Sequence, residues 1–189
     1  MKKIYLLVLS VLIFQLTNGQ NPVSKLNNGG ALLVRLQTNQ HLIQYHLDKL
    51  ELDQAKLIEK NQKIKNQKII ENFQENWSLC PIYFFYSNDI NEIQNNNFKK
   101  VFKNKPSIIL NDVEKSQLKD NFLFAYFGDY PGYLNFDALV LINQNLEPLK
   151  KPIPRYVRTY KGLWIFERKI NKTIRRLQKK IEFYASRIK

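Results

Sequence analysis

The chain has 189 residues, 44% of them hydrophobic and 13% aromatic, a balance that excludes an intrinsically disordered polymer. Thirty Lys and Arg against 16 Asp and Glu give a formal charge of +14, which favours anionic partners. Cys80 is the only cysteine, so no intramolecular disulfide forms.

Lys2 and Lys3 precede an apolar run from Ile4 to Leu16, which ends in Thr17, Asn18, Gly19 and Gln20. A basic start, an apolar middle and a small residue at the cut make a secretory signal, so residues 1–19 are expected to be removed and the mature chain to begin at Gln20. A membrane span needs about 20 apolar residues, which this run does not reach, and no cysteine follows it to carry a lipid. The expected destination is secreted or periplasmic. Residues 20–30 read as a polar linker and residues 31–189 as a single α/β domain. The mature chain keeps a net charge of about +12, suited to acidic headgroups or acidic polysaccharide, and export argues against nucleic acid.

In chain order, Ala31 to Leu36 (ALLVRL) reads as a first strand, nearly apolar throughout as strands buried on both faces are. Thr38 is placed to cap a long helical stretch from about Gln40 to Trp77. Its apolar positions, Ile43, Leu47, Leu50, Leu57, Ile64, Ile70, Phe73 and Trp77, have the spacing of a one-sided helix. Unbroken, the helix would run about 55 Å, against a radius of gyration near 15 Å for the whole domain. A break is therefore predicted, with Asp53 capping the second piece.

Pro81 to Tyr86 reads as a second strand, parallel to the first because a helical crossover separates them, with Cys80 buried at the head of what is expected to be a central strand. Ser87, Asn88 and Asp89 form a turn or the cap of a short helix over about Ile90 to Phe102. Three further apolar runs follow, Ser107 to Leu110, Phe122 to Phe127 and Ala138 to Ile142. Asn143 to Pro148 reverses the chain, and Pro152 and Pro154 hold the backbone extended up to a last strand candidate, Gly162 to Phe166.

The final helix, about Arg168 to Ile188, aligns Ile170, Ile174, Leu177, Ile181, Tyr184 and Ile188 at spacings of four and three. The opposite face carries Arg168, Lys169, Lys172, Arg175, Arg176, Lys179, Lys180 and Arg187 against only Glu182. Arg175, Arg176, Lys179 and Lys180 are the candidates for contact with an anionic surface. Together the elements predict a mixed β-sheet flanked by helices. The order resembles a thioredoxin-like layout, but without a C-x-x-C pair the likeness is one of architecture alone.

Open α/β sheets bind ligands beyond the carboxyl ends of their strands, which gathers Thr38, Ser87, Asn88, Asp89, Asp129 and Asn143 as candidates on one rim. Asp89 and Asp129 are the carboxylates a small hydrolase or transferase would use there. Arg155, Tyr156, Arg158 and Tyr160 offer guanidinium and aromatic groups to an anionic or sugar-like ligand, with Tyr156, Arg158 and Tyr160 sharing one side of an extended segment and Arg155 the other. His41 and His46 project about 140° apart on a regular helix and cannot share a metal. No G-x-S-x-G elbow and no glycine-rich phosphate loop occurs, and no motif implies a cofactor.

Three segments, GGALLVRLQT (29–38), WSLCPIYFFYS (77–87) and KPIPRYVRTY (151–160), resemble a family of uncharacterised exported proteins from flavobacteria and related Bacteroidota. The resemblance implies export and supplies no catalytic residues. The expectation is an exported, non-catalytic binding or envelope-associated α/β domain with a basic face and an anionic envelope component or a protein as partner. The alternatives are the strand-end hydrolase or transferase and a redox-inactive thioredoxin-like protein.

Overall fold

The protein is described by a computed structural model over residues 22–27, 29–119, 121–131, 135–163 and 165–187; the expected signal peptide lies outside the described residues, as do Ile188 and Lys189. The elements in order are α1 (Pro22–Asn27), β1 (Ala31–Leu36), α2 (Gln40–Asp48), α3 (Leu52–Asn76), β2 (Ile82–Tyr86), α4 (Ile90–Gln94), α5 (Asp112–Leu118), β3 (Phe122–Asp129), β4 (Asp137–Ile142), β5 (Tyr156–Arg158) and α6 (Ile170–Ser186). The strands form one mixed sheet in the order β2, β1, β3, β4, β5, confirming the α/β class.

β1 runs parallel to both neighbours, with Val34 beside Phe84 of β2 and Ala125 of β3, and β4 and β5 then reverse direction in turn. Its near-continuous apolar run follows from this place, since each face of the sheet carries its own layer. On one face Leu32, Val34 and Leu36 join Leu123, Leu139 and Leu141 beneath α1, α3 and α6. Phe73 of α3 is fully buried there, its ring set at an angle against Trp77 (6.2 Å), Phe84 (6.4 Å) and Phe127 (6.3 Å). From α6, Ile174, Leu177 and Ile181 are each 0% exposed, so the predicted apolar stripe packs on the sheet. On the other face Leu33, Phe85, Phe122, Phe124 and Val140 lie under Ile93, Phe98, Val101, Leu110 and Leu118.

Several expectations are corrected. Part of the segment read as a polar linker is helix α1, whose Val23 and Leu26 enter the core. Apolar residues three apart suffice to seat one turn. Gly30 makes the close approach behind it feasible: a Cβ there would sit 2.3 Å from the Lys25 carbonyl oxygen and 2.6 Å from that of Asn121.

The long helix breaks at Lys49 to Glu51, where Leu50 adopts φ 62°, and Asp53 lies in the first turn of α3 instead of capping it. Leu47, Leu50, Leu57 and Ile64 are exposed. α3 spans about 37 Å and a six-residue strand about 20 Å, so the first half of α3 overhangs the sheet and only its later turns find the core. α4 ends at Gln94, well short of Phe102, and Ser107 to Leu110 contributes a lone bridge from Ile109 to Phe102 where a strand was expected. The described residues of Gly162 to Phe166 form no strand; Tyr160 (φ 55°) and Gly162 (φ 82°) turn the backbone left-handed and break extended geometry.

Candidate functional site

The rim at the carboxyl ends of β1 and β2 gathers four of the expected residues. The Thr38 hydroxyl lies 3.1 Å from that of Ser87 and donates to Asn88 Oδ1 at 2.8 Å, so it ties the two strand ends together and does not cap α2. Beside them is a cleft of about 720 Å³ lined by Ile43, Gln62, Asn66, Tyr86 and Asp89, among others. Gln62 and Asn66, missed in the sequence, are buried amides on the core side of α3. Their hydrogen bonds form a closed chain: Asn39 Nδ2 donates to Gln62 Oε1 (2.7 Å), Gln62 Nε2 to Asn66 Oδ1 (2.8 Å), and Asn66 Nδ2 to the Gln37 carbonyl (2.7 Å). These bonds fasten α3 to the end of β1.

The candidate acids do not converge. Asp89 is held by Lys100 at 2.8 Å, which also reaches Glu92 at 2.7 Å. Asp129 lines a different cavity. Asn143 lies at the opposite end of the sheet because β4 runs antiparallel to β3; its Oδ1 accepts from the Glu147 N–H (2.9 Å), the bond of a turn residue. His46 Nδ1 sits 2.6 Å from Glu51 Oε2.

Cys80 precedes β2, which is an edge strand and not a central one, and the residue is partly exposed. Desolvation pushes its thiol up to about 11, outweighing hydrogen bonding by Trp77 and the Leu32 backbone. About one thiol in a thousand is then ionised at pH 8. Labelling by a disulfide reagent at that pH is expected to run about a hundredfold slower in the native protein than at a free cysteine, and to rise with pH toward 11. Native labelling at the unfolded rate would overturn this.

The second candidate group shows the stronger convergence. The rings of Tyr130 and Phe136 stack at 5.3 Å, and both meet Tyr156 of β5, at 4.6 Å and 5.1 Å. The Arg158 guanidinium lies 4.1 Å above Phe136, and that of Arg155 lies 5.8 Å from Tyr130 and 5.9 Å from Tyr156, so Arg155 joins the group despite its opposite parity. From the other side of the edge, Lys180 Nζ of α6 donates to the Tyr156 carbonyl at 3.3 Å, and Arg168 Nη1 donates to the Arg158 carbonyl. Arg168 also lies 5.2 Å from the Tyr160 ring.

The two sets of residues singled out separately, 155–160 and 175–180, thus meet along β5. Burial holds the Lys180 ammonium below its ordinary value, and the like charges of Arg176 and Arg168 push it the same way. Among the described residues no carboxylate forms an ion pair with Arg155, Arg158, Arg168, Arg175, Arg176, Lys179 or Lys180. Arg175 instead donates from Nε to Asn76 Oδ1 at 2.7 Å. Asp129 and Asp137 share a cavity of about 410 Å³ with Arg158 and Tyr160.

Sequence reasoning missed Tyr130, Phe136 and the reach of Arg168. It also passed over Arg35, which lies within the apolar run of β1 with its guanidinium 4.2 Å from the Tyr126 ring, held below its ordinary value by burial. Comparison with protein-family models, with curated proteins and with solved structures finds no match for this chain.

Proposed function

We propose that the protein is an exported, non-catalytic binding module whose β5 and α6 edge holds an anionic component of the cell envelope. The observation that carries this reading is the gathering of Arg155, Arg158, Arg168, Arg176 and Lys180 around Tyr156 with no ion-paired carboxylate among the described residues. Holding like charges together costs free energy, and an anion supplied from outside offsets that cost. The aromatic floor adds to it, since Tyr130, Phe136 and Tyr156 hold the guanidinium stems in place before any ligand arrives. Export rests on the basic and apolar pattern of residues 2–20. Asp89 and Asp129, the carboxylates singled out for hydrolysis, line separate cavities, which favours binding over that reaction.

Retention on immobilised heparin tests the reading, with the polyanion as probe. A variant with Arg155→Gln, Arg176→Gln, Lys179→Gln and Lys180→Gln is expected to elute at clearly lower salt, the slope of log affinity against log salt falling by about one for each lost contact. Removing equal charge from α3, by Lys56→Gln, Lys60→Gln, Lys65→Gln and Lys68→Gln, should shift elution much less. Equal shifts for the two variants would reduce the effect to net charge and overturn the site.

A further inference from the structure

We infer that the turn between β5 and α6, residues 160–169, is a lipid-docking loop that inserts apolar side chains into an anionic bilayer; the inference rests on the anionic-surface reading above and names its partner. Ile165 is 84% exposed, Phe166 70% and Leu163 56%, whereas Ile174, Leu177 and Ile181, a few residues on, are 0% exposed. Scattered exposed leucines need no explanation, but three large apolar residues within four positions form a patch that water alone does not favour. Trp164 lies between them in the sequence.

Part of the backbone of this loop is already paired. The N–H of Leu163 donates to the Tyr160 carbonyl (3.1 Å), those of Phe166 and Glu167 to the Leu163 carbonyl (2.6 and 3.0 Å), and that of Arg168 to the Thr159 carbonyl (2.7 Å). Paired backbone enters an apolar medium at far lower cost than open backbone. The turn is closed at its base by Arg168, which also donates from Nη1 to the Arg158 carbonyl. The apolar side chains are therefore presented from a fixed platform.

Charge identifies the surface that fits. Lys161 stands on one side of the apolar residues and Arg168, Lys169 and Lys172 on the other, with Glu167 as the only acid within this stretch. Lys161 lies 4.0 Å from Asp137, and the remaining cations have no ion pair among the described residues. Apolar residues at a tip with cations at its base match the layering of a membrane, acyl chains below and anionic headgroups at the level of the base. Arg168 belongs to this loop and to the cationic edge alike, so both face the same partner. Among the described residues no helix is long and apolar enough to cross a membrane.

The test uses vesicles of phosphatidylcholine containing about a third phosphatidylglycerol, with co-sedimentation and heparin retention measured on the same preparations. The parent protein is expected to bind these vesicles. The pair Ile165→Ser with Phe166→Ser should weaken vesicle binding by about a hundredfold or more and leave both heparin retention and the melting temperature unchanged. The pair Leu52→Ser with Leu57→Ser, exposed elsewhere, should change none of these.

Unchanged vesicle binding by the loop variant overturns the lipid-docking loop while the anionic-surface reading stands. Failure of the parent to bind heparin and vesicles alike overturns that reading as well. A parent that self-associates through the loop, with dimer lost in the variant and vesicle binding unaffected, assigns the patch to a second copy and overturns the inference.

Discussion

Replacing Phe73 with alanine lowers the stability of the domain by ~3–5 kcal/mol, the range for an emptied aromatic site in a core. Phe73 is fully buried, and its ring meets Trp77 at the end of its own helix, Phe84 from β2 and Phe127 from β3. Removing the ring strips three others of their partner at once, in a place where α3 and two strands close on each other. Urea denaturation followed by circular dichroism measures the loss. A variant within about 1 kcal/mol of the parent would show that the core relaxes there, contrary to the packing described.

Leu177→Ala is expected to cost ~2–5 kcal/mol, because Leu177 is 0% exposed and lies between Ile174 and Ile181 on the face of α6 that covers the sheet. The same substitution at Leu57 of α3, 51% exposed, should move stability by less than about 0.5 kcal/mol. The two leucines were equivalent as members of apolar stripes. Their difference lies in what each helix meets, and equal losses for the two would contradict the overhang of α3. The comparison also bears on α6 as a whole: a helix that melted like the parent without Leu177 would be an appended arm, not a wall of the domain.

Strands whose pattern answers to burial were readable from the sequence. β1 and β3 are apolar on consecutive positions because helices or loops cover both faces, and ALLVRL or FLFAYF states that directly. The rim residues Thr38, Ser87 and Asn88 were readable for a similar reason, since each lies within two residues of a strand end and parallel pairing brings those ends together. The segment Gly162 to Phe166 was read as a strand because the prolines before it favour extended backbone, while the left-handed backbone at Tyr160 and Gly162 decided otherwise. α1 was missed because a single turn seated by Val23 and Leu26 leaves almost no periodicity to detect.

The meeting of Tyr156 with Lys180, and of Arg158 with Arg168, was illegible for a different reason. These contacts join an edge strand to a helix through side chains whose reach depends on how α6 crosses the sheet, and no spacing in the chain encodes a crossing angle. Each half of the group was visible alone, as an aromatic and arginine segment and as a basic helical face. Their sum required the fold.

A five-stranded open sheet has two borders at which another chain could add a strand. At β2 the border is taken by Phe102, which exchanges both backbone hydrogen bonds with Phe84, at 2.8 Å and 2.9 Å. At β5 the strand is three residues long, and the carbonyls of Tyr156 and Arg158 already accept from Lys180 and Arg168. The cations that would receive an anion thus also deny the sheet a sixth strand. Neutralising them would do two things at once, loosening the hold on an acidic surface and baring a backbone ready to template its own kind, so a loss of charge at this border carries a risk of fibrillar growth that the same loss on α3 does not.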